Sequence, residues 1–179
     1  MMKRLTWLLM LLSLNVLASL PGDSLYQLDD TWQNHHEKTV TMASLTGKKQ
    51  LLAFIYTDCA TACPVLVSDL KRIQQALTPA QQQRLGFVLV SLTPGVDTPK
   101  VMAHFAGKRK LDEHWTLLSG DDGQVRTLAM ALNIKYTGLA NGEIAHSNAI
   151  TALDDQGRIL FQQSGLPGGP EAVIEKMGL

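Results

Sequence analysis

Cysteine is almost missing from this chain: two of 179 residues, so at most one disulfide can form within it. Net charge of either sign is missing too, with 16 basic side chains set against 16 acidic ones. No basic stripe runs along the sequence, which argues against a nucleic-acid partner. No internal repeat, low-complexity tract or linker rich in Pro, Gly or Ser divides the chain, and a single folded domain is expected. The one long apolar stretch, from Leu5 to Leu17, falls short of the roughly 20 residues a membrane-spanning helix needs.

That stretch is present for another purpose. Lys3 and Arg4 precede it, and Val16-Leu17-Ala18 follows with short residues where a signal peptidase reads. Residues 1–18 therefore read as a secretory signal peptide, with an uncleaved anchor extending through Leu20 as the alternative. Cleavage after Ala18 leaves residues 19–179, removes two basic side chains and gives two net negative charges. The expected location is periplasmic or otherwise exported, with membrane anchoring through the apolar segment as the variant.

Downstream, Val40, Met42 and Leu45 are spaced like a half-buried strand in a peripheral N-terminal hairpin. Gln50 to Tyr56 is apolar on successive residues, as in a strand covered on both faces. Val65, Leu66, Leu70, Ile73 and Leu77 recur at helical spacing after Pro64, which suits a first helical turn. Strand and helix alternate again. Gly86 to Leu92 is a second buried strand, Asp97-Thr98-Pro99 caps a helix through Val101, Met102 and Phe105, and Trp115 to Leu118 is a third strand. A helix bearing Val125, Leu128, Ala129 and Leu132 follows Gly120-Asp121-Asp122-Gly123. Asn148 to Leu153 and Arg158 to Gln162 flank the hairpin turn Asp154-Asp155-Gln156-Gly157, and Pro170 opens a last helix over Glu171 to Met177. This order predicts an α/β fold of thioredoxin-like type: a central mixed sheet with helices on both faces and an extra N-terminal β-hairpin.

Chemistry is expected at Thr57-Asp58-Cys59-Ala60-Thr61-Ala62-Cys63-Pro64, where the first buried strand turns into a helix. Four-residue spacing brings the thiols close enough to bond each other or to clamp one ion. With Pro64 placing Cys63 at or beside the helix N-cap, Cys63 is predicted to be the more acidic sulfur. A purely structural disulfide is disfavoured, because so short a loop restricts the unfolded chain little. The additional residue relative to Cys-x-x-Cys relaxes the tight turn used for fast exchange and makes room for a metal.

Two thiolates need a third donor. Among the five histidines, His35, His36, His104 and His114 read as surface positions. His146, in Ala145-His146-Ser147 directly before a strand, is placed to reach the cysteine end of the sheet; a solvated loop histidine is the bland alternative. Two sulfurs and one imidazole suit Cu(I), and hold Cu(II) with an added water or carbonyl; zinc in a closed structural site normally takes a fourth ligand. Met102, Met130 and Met177 read as core filler rather than as further copper ligands. Asp154 and Asp155 are turn formers, and Asp58 either biases the Cys59 thiol or faces solvent.

From about Leu28 to Met177 the chain resembles the Sco/SenC family of copper-binding assembly factors for cytochrome c oxidase. The resemblance rests on Leu52 to Pro64 with its Cys-x-x-x-Cys-Pro, on Val90 to Pro99, and on Ala145-His146-Ser147 followed by Leu153-Asp154-Asp155-Gln156-Gly157. It implies copper binding by Cys59, Cys63 and His146, a thioredoxin-like fold, and a membrane-facing or periplasmic location. The implied role is copper delivery to the dinuclear site of the oxidase subunit or another cuproprotein, or reduction of that subunit's cysteines. Other copper chaperones or thioredoxin-like reductants are further expected partners. The chain departs from the family in Ala60, where proline often follows the first cysteine, and in Thr93-Pro94, where Asp-Pro is usual.

Three activities compete on these residues. A copper chaperone needs Cys59, Cys63 and His146. A thiol-disulfide oxidoreductase uses Cys59 and Cys63 as catalytic thiols and does not need the histidine. A thiol peroxidase needs an arginine beside the reactive cysteine, and Arg72 lies more than two helical turns along α-helical spacing from the motif.

Overall fold

A computed structural model describes residues 19–140 and 143–179; the expected leader, residues 1–18, lies outside the described residues. No helix among them is long and apolar enough to cross a membrane.

The chain enters through a short 3-10 turn, Leu25–Gln27, and a hairpin of β1 (Thr31–Asn34) and β2 (Thr39–Thr41). Then β3 (Lys49–Ile55) leads to α1 (Ala62–Ala76), a single turn α2 (Pro79–Gln82), β4 (Leu85–Ser91), α3 (Pro99–Arg109), β5 (Trp115–Ser119) and α4 (Asp122–Ala131). A ribbon of β6 (Tyr136–Gly138) and β7 (Ile144–His146) precedes β8 (Ala149–Leu153), β9 (Ile159–Ser164) and α5 (Gly169–Lys176). Seven strands form one sheet in the order β2-β1-β5-β4-β3-β8-β9. β3, β4 and β5 are parallel, while β1 and β8 run antiparallel to their neighbours.

The unbroken apolar run of β3 follows from its central position, since successive residues point to opposite faces and both are covered. Leu51, Ala53 and Ile55 pack with Leu66, Leu70 and Ile73 of α1, Met102 and Phe105 of α3, and Val173 of α5. Leu52 and Phe54 face the other way, toward Val125 and Leu128 of α4 and the entry segment's Tyr26, Trp32 and Met42. Helix starts follow local chemistry. Thr78 and Asp121 each form a capping box with a glutamine three residues on, and α3 and α5 open with proline in the first turn.

Three local expectations change. The strand reading of Val40, Met42 and Leu45 stops at Thr41: Met42–Leu45 is a 3-10 turn that drives Met42 fully into the core. α1 begins at Ala62 rather than at Pro64, with Thr61 as N-cap, so Cys63 lies inside the first turn. Within Asp97-Thr98-Pro99 it is Thr98 that caps α3, as expected with proline just inside the helix: the Thr98 hydroxyl accepts the Val101 amide at 3.4 Å. Met130 is 74% exposed and fills no core, whereas Met102 and Met177 are buried as expected; helical spacing alone does not say which edge of an apolar stripe meets a neighbour.

Candidate metal centre

β3 ends at Ile55, and Tyr56 to Thr61 carry the chain across the carboxyl end of the parallel strands into α1. Both cysteines are buried and unbridged. The Cys63 amide, unpaired within the first helical turn, donates to Cys59 Sγ at 3.3 Å. Cys59 therefore sits where a helix N-terminus aims its free amides.

The predicted order of acidity reverses. Burial pushes the Cys59 thiol up, but hydrogen bonds from the Cys63 thiol, the Cys63 and Thr61 amides and the Tyr56 hydroxyl outweigh it and leave Cys59 below an ordinary thiol. Burial, then the bond with Cys59, drive Cys63 the other way, from 9.0 up to about 12. Proximity to a helix start favours a thiolate only where the sulfur itself receives the amides; here Cys59 receives them, and Cys63 points into the core. Relative to an ordinary cysteine, Cys63 holds about a thousandfold less thiolate at neutral pH. Iodoacetamide at pH 7 is accordingly expected to label Cys59 first, with Cys63 labelled slowly even in Cys59→Ala; mass spectrometry of the reduced protein reads the order. Equal labelling of both thiols would contradict this assignment.

His146 reaches the cysteines from an element the sequence reading did not foresee. It stands at the end of β7, paired with Tyr136 of β6 in a ribbon separate from the main sheet. Its Nε2 lies 4.0 Å from Cys63 Sγ, and its Nδ1 lies 3.1 Å from the Ser147 carbonyl. A proton on Nδ1 satisfies that carbonyl and leaves the Nε2 lone pair directed at the sulfur. A metal bound at about 2.3 Å by sulfur and about 2.0 Å by nitrogen separates the two donors by roughly 3.5–3.7 Å, so a shift of a few tenths of an ångström brings the pair to ligating distance. Among the described residues, no three His, Cys, Asp or Glu side chains already stand in metal-binding geometry. The remaining histidines lie elsewhere: His104 is exposed on α3, and the half-buried Nδ1 of His35 accepts the Leu117 amide at 3.2 Å.

Two residues that the sequence reading passed over organise the site. The Tyr56 hydroxyl interacts with Cys59 and with the backbone of Ile144, and its ring meets His146 edge-on at 6.2 Å. It ties the ribbon carrying His146 to the loop carrying the dithiol. Asp97, 1% exposed, accepts the Thr57 amide at 3.1 Å, the Thr57 hydroxyl, and the Ser91 hydroxyl at 2.7 Å. It pins the start of the cysteine loop to the end of β4. The signal for Asp97 was present in Asp97-Thr98-Pro99: two adjacent capping residues, of which a helix uses one. Asp58 is exposed, and Arg72 pairs with Asp69 at 3.5 Å on α1 rather than with a thiol.

A dithiol between a β-strand and a helix on this mixed sheet defines a thioredoxin-like protein. Residues 24–177 match the SCO1/SenC family, and the chain belongs to it. A curated relative, the SCO1 protein homolog of Bacillus subtilis, is 26% identical over 144 residues, covering 78% of this chain and 74% of that protein. The solved structure of Bradyrhizobium japonicum ScoI with copper bound superposes with a TM-score of 0.68 at 24% identity, over 83% of this chain and 94% of that one. BsSco, described with a disulfide switch and as a member of the Sco family of cytochrome c oxidase assembly proteins, superposes at 0.71 with 23% identity, over 83% and 89% of the two chains. At these identities the structural likeness establishes the shared fold.

Proposed function

We propose that this protein is an exported copper chaperone that binds copper through Cys59, Cys63 and His146 and delivers it to the dinuclear copper site of a cytochrome c oxidase subunit or to another cuproprotein. The approach of His146 Nε2 to Cys63 Sγ, with Nδ1 already engaged, carries this reading. A surface histidine has no reason to be held over a buried dithiol by a dedicated ribbon. The copper-bound state of the Bradyrhizobium relative and the oxidase-assembly role of BsSco support it.

Two soft sulfurs and one borderline nitrogen match Cu(I) by softness and by coordination number. Binding requires both thiols to lose their protons, and the raised Cys63 makes uptake of the ion coincide with release of its proton. Transfer then proceeds as an acceptor thiolate replaces one ligand at a time. His146, on a ribbon rather than in the core, is the ligand placed to leave first.

The split between the two thiols favours a second, compatible reading as a thiol-disulfide oxidoreductase. The Cys59 thiolate attacks one sulfur of a partner disulfide and displaces the other as a thiolate. Cys63 then loses its proton and attacks Cys59 Sγ, releasing the second partner thiolate and leaving a Cys59–Cys63 disulfide. The partner gains two electrons, and a thioredoxin-like reductant must return two to this protein.

An anaerobic Cu(I) competition titration of the reduced protein decides between them. One copper per chain is expected, weakened by more than about a hundredfold in Cys59→Ala and Cys63→Ala and by at least tenfold in His146→Ala. Weak binding indifferent to His146 would overturn the chaperone reading and leave the reductase.

A further inference from the structure

The linear sequence shows no basic stripe, yet folding builds one beside the dithiol. Two cavities flank the loop that carries the cysteines. One, of about 280 Å³, lies between α1 and α3 and is lined by Pro64, Val67, Lys71, Arg72 and Arg109, so it starts at the residue that follows Cys63. The other, of about 150 Å³, is lined by Thr57, Val101, His104, Lys108 and Arg109, and so starts two residues before Cys59. Arg109 belongs to both walls.

Asp69 pairs with Arg72, and Asp58 is exposed on the loop itself. The Lys71 ammonium is tethered by the Arg109 carbonyl at 2.7 Å, the Arg109 guanidinium lies 4.9 Å over the Phe105 ring, and Lys108 is exposed. Among the described residues, none of the three pairs with a carboxylate. Two apolar side chains stand exposed in the same region, Val65 at 58% on the first turn of α1 and Val101 at 37% on α3. Cations beside two exposed apolar side chains, bordering a reactive site, have the composition of a transient protein dock.

We propose that this face, built from Lys71, Lys108 and Arg109 with Val65 and Val101, docks an acidic surface of the protein with which the dithiol exchanges copper or electrons. The inference rests on the proposed function for what is exchanged, and concerns only how the partner is brought there. Positive potential raises the local concentration of an acidic partner and orients its thiols toward Cys59, an effect on the association rate that salt screens. The small apolar contact limits residence time, as a carrier that must release its partner requires.

The test uses two synthetic acceptor peptides with the same Cys-x-x-x-Cys, one flanked by glutamates and one by serines. Stopped-flow rates of Cu(I) transfer from the loaded protein are measured between about 20 mM and about 300 mM salt. For the acidic peptide the rate is expected to fall about tenfold with salt, and by a similar factor in Lys71→Glu/Lys108→Glu at low salt. The serine peptide, and a Lys48→Glu control carrying the same charge change at the opposite end of the sheet, should change by less than twofold. Equal behaviour of the two peptides, or an equal effect of Lys48→Glu, overturns the proposal. So does stronger binding to vesicles of one-fifth anionic lipid than to the acidic peptide, which would make the face a membrane contact. Equilibrium Cu(I) affinity measured on the same variants separates the two ideas: failure to bind copper sinks the proposed function, whereas normal affinity with no charge dependence sinks only the dock. Thermal melts of Lys71→Glu alone and Lys108→Glu alone exclude a folding defect.

Discussion

Asp97→Ala is expected to lower stability by about 3–5 kcal/mol and to expose the dithiol loop. The buried carboxylate accepts from three donors, the Thr57 amide, the Thr57 hydroxyl and the Ser91 hydroxyl, and its removal strands the Thr57 amide and the Ser91 hydroxyl away from water. Each unsatisfied buried donor costs about 1–3 kcal/mol, more where the lost partner is charged. Asp97 also directly precedes the N-cap of α3, where the helix dipole favours a negative charge. Asp97→Asn should cost less, about 1–2 kcal/mol. Its remaining carbonyl oxygen can still take the Thr57 amide and Ser91, and the Thr57 hydroxyl can turn to accept from the new amide. Chemical denaturation measures both losses, and faster alkylation of Cys59 in the alanine variant reports the loosened loop. An alanine variant as stable as the parent would show that the brace carries nothing.

Gly157→Ala is expected to cost about 3 kcal/mol or more and to detach the entry segment. Gly157 closes the β8–β9 turn at φ +83°, a conformation that disfavours any side chain, and an added Cβ would stand 2.5 Å from the Tyr26 ring. That ring is part of the core on the α4 face, and its neighbour Leu25 donates its amide to the Gly157 carbonyl at 3.0 Å. Strain and displacement therefore act on one contact. A lowered melting temperature with newly protease-sensitive residues 21–30 is the outcome to look for; a melting temperature within a degree or two of the parent would refute it.

The site was legible where chemistry depends on residue type and spacing. Cys59, Cys63 and His146 were each identifiable as candidate donors, because sulfur four residues apart and a lone imidazole before a strand have few other uses together. What failed was orientation. The place of Cys63 beside Pro64 suggests the more acidic sulfur, whereas in the fold Cys59 Sγ receives the Cys63 amide and Cys63 is the more deeply buried of the two. Tyr56 and Asp97 escaped notice for a related reason: a strand-end tyrosine and a pre-helix aspartate have ordinary local explanations, and only their partners, Ile144 and Thr57, distant in sequence, reveal the braces.

By itself, the order of apolar runs, prolines and capping residues determined the alternation of strands and helices, the central place of β3, and the dithiol at its carboxyl end. Those features depend on local periodicity and on backbone chemistry confined to a few neighbouring residues. Tertiary structure alone decided which thiol is the more acidic, how the ribbon brings His146 to Cys63, and how a chain with no net charge gathers Lys71, Lys108 and Arg109 on one face. Desolvation, hydrogen bonding and electrostatic potential are set by what lies within a few ångströms in space, and residues 38 to 83 positions apart become neighbours only when the sheet and helices close.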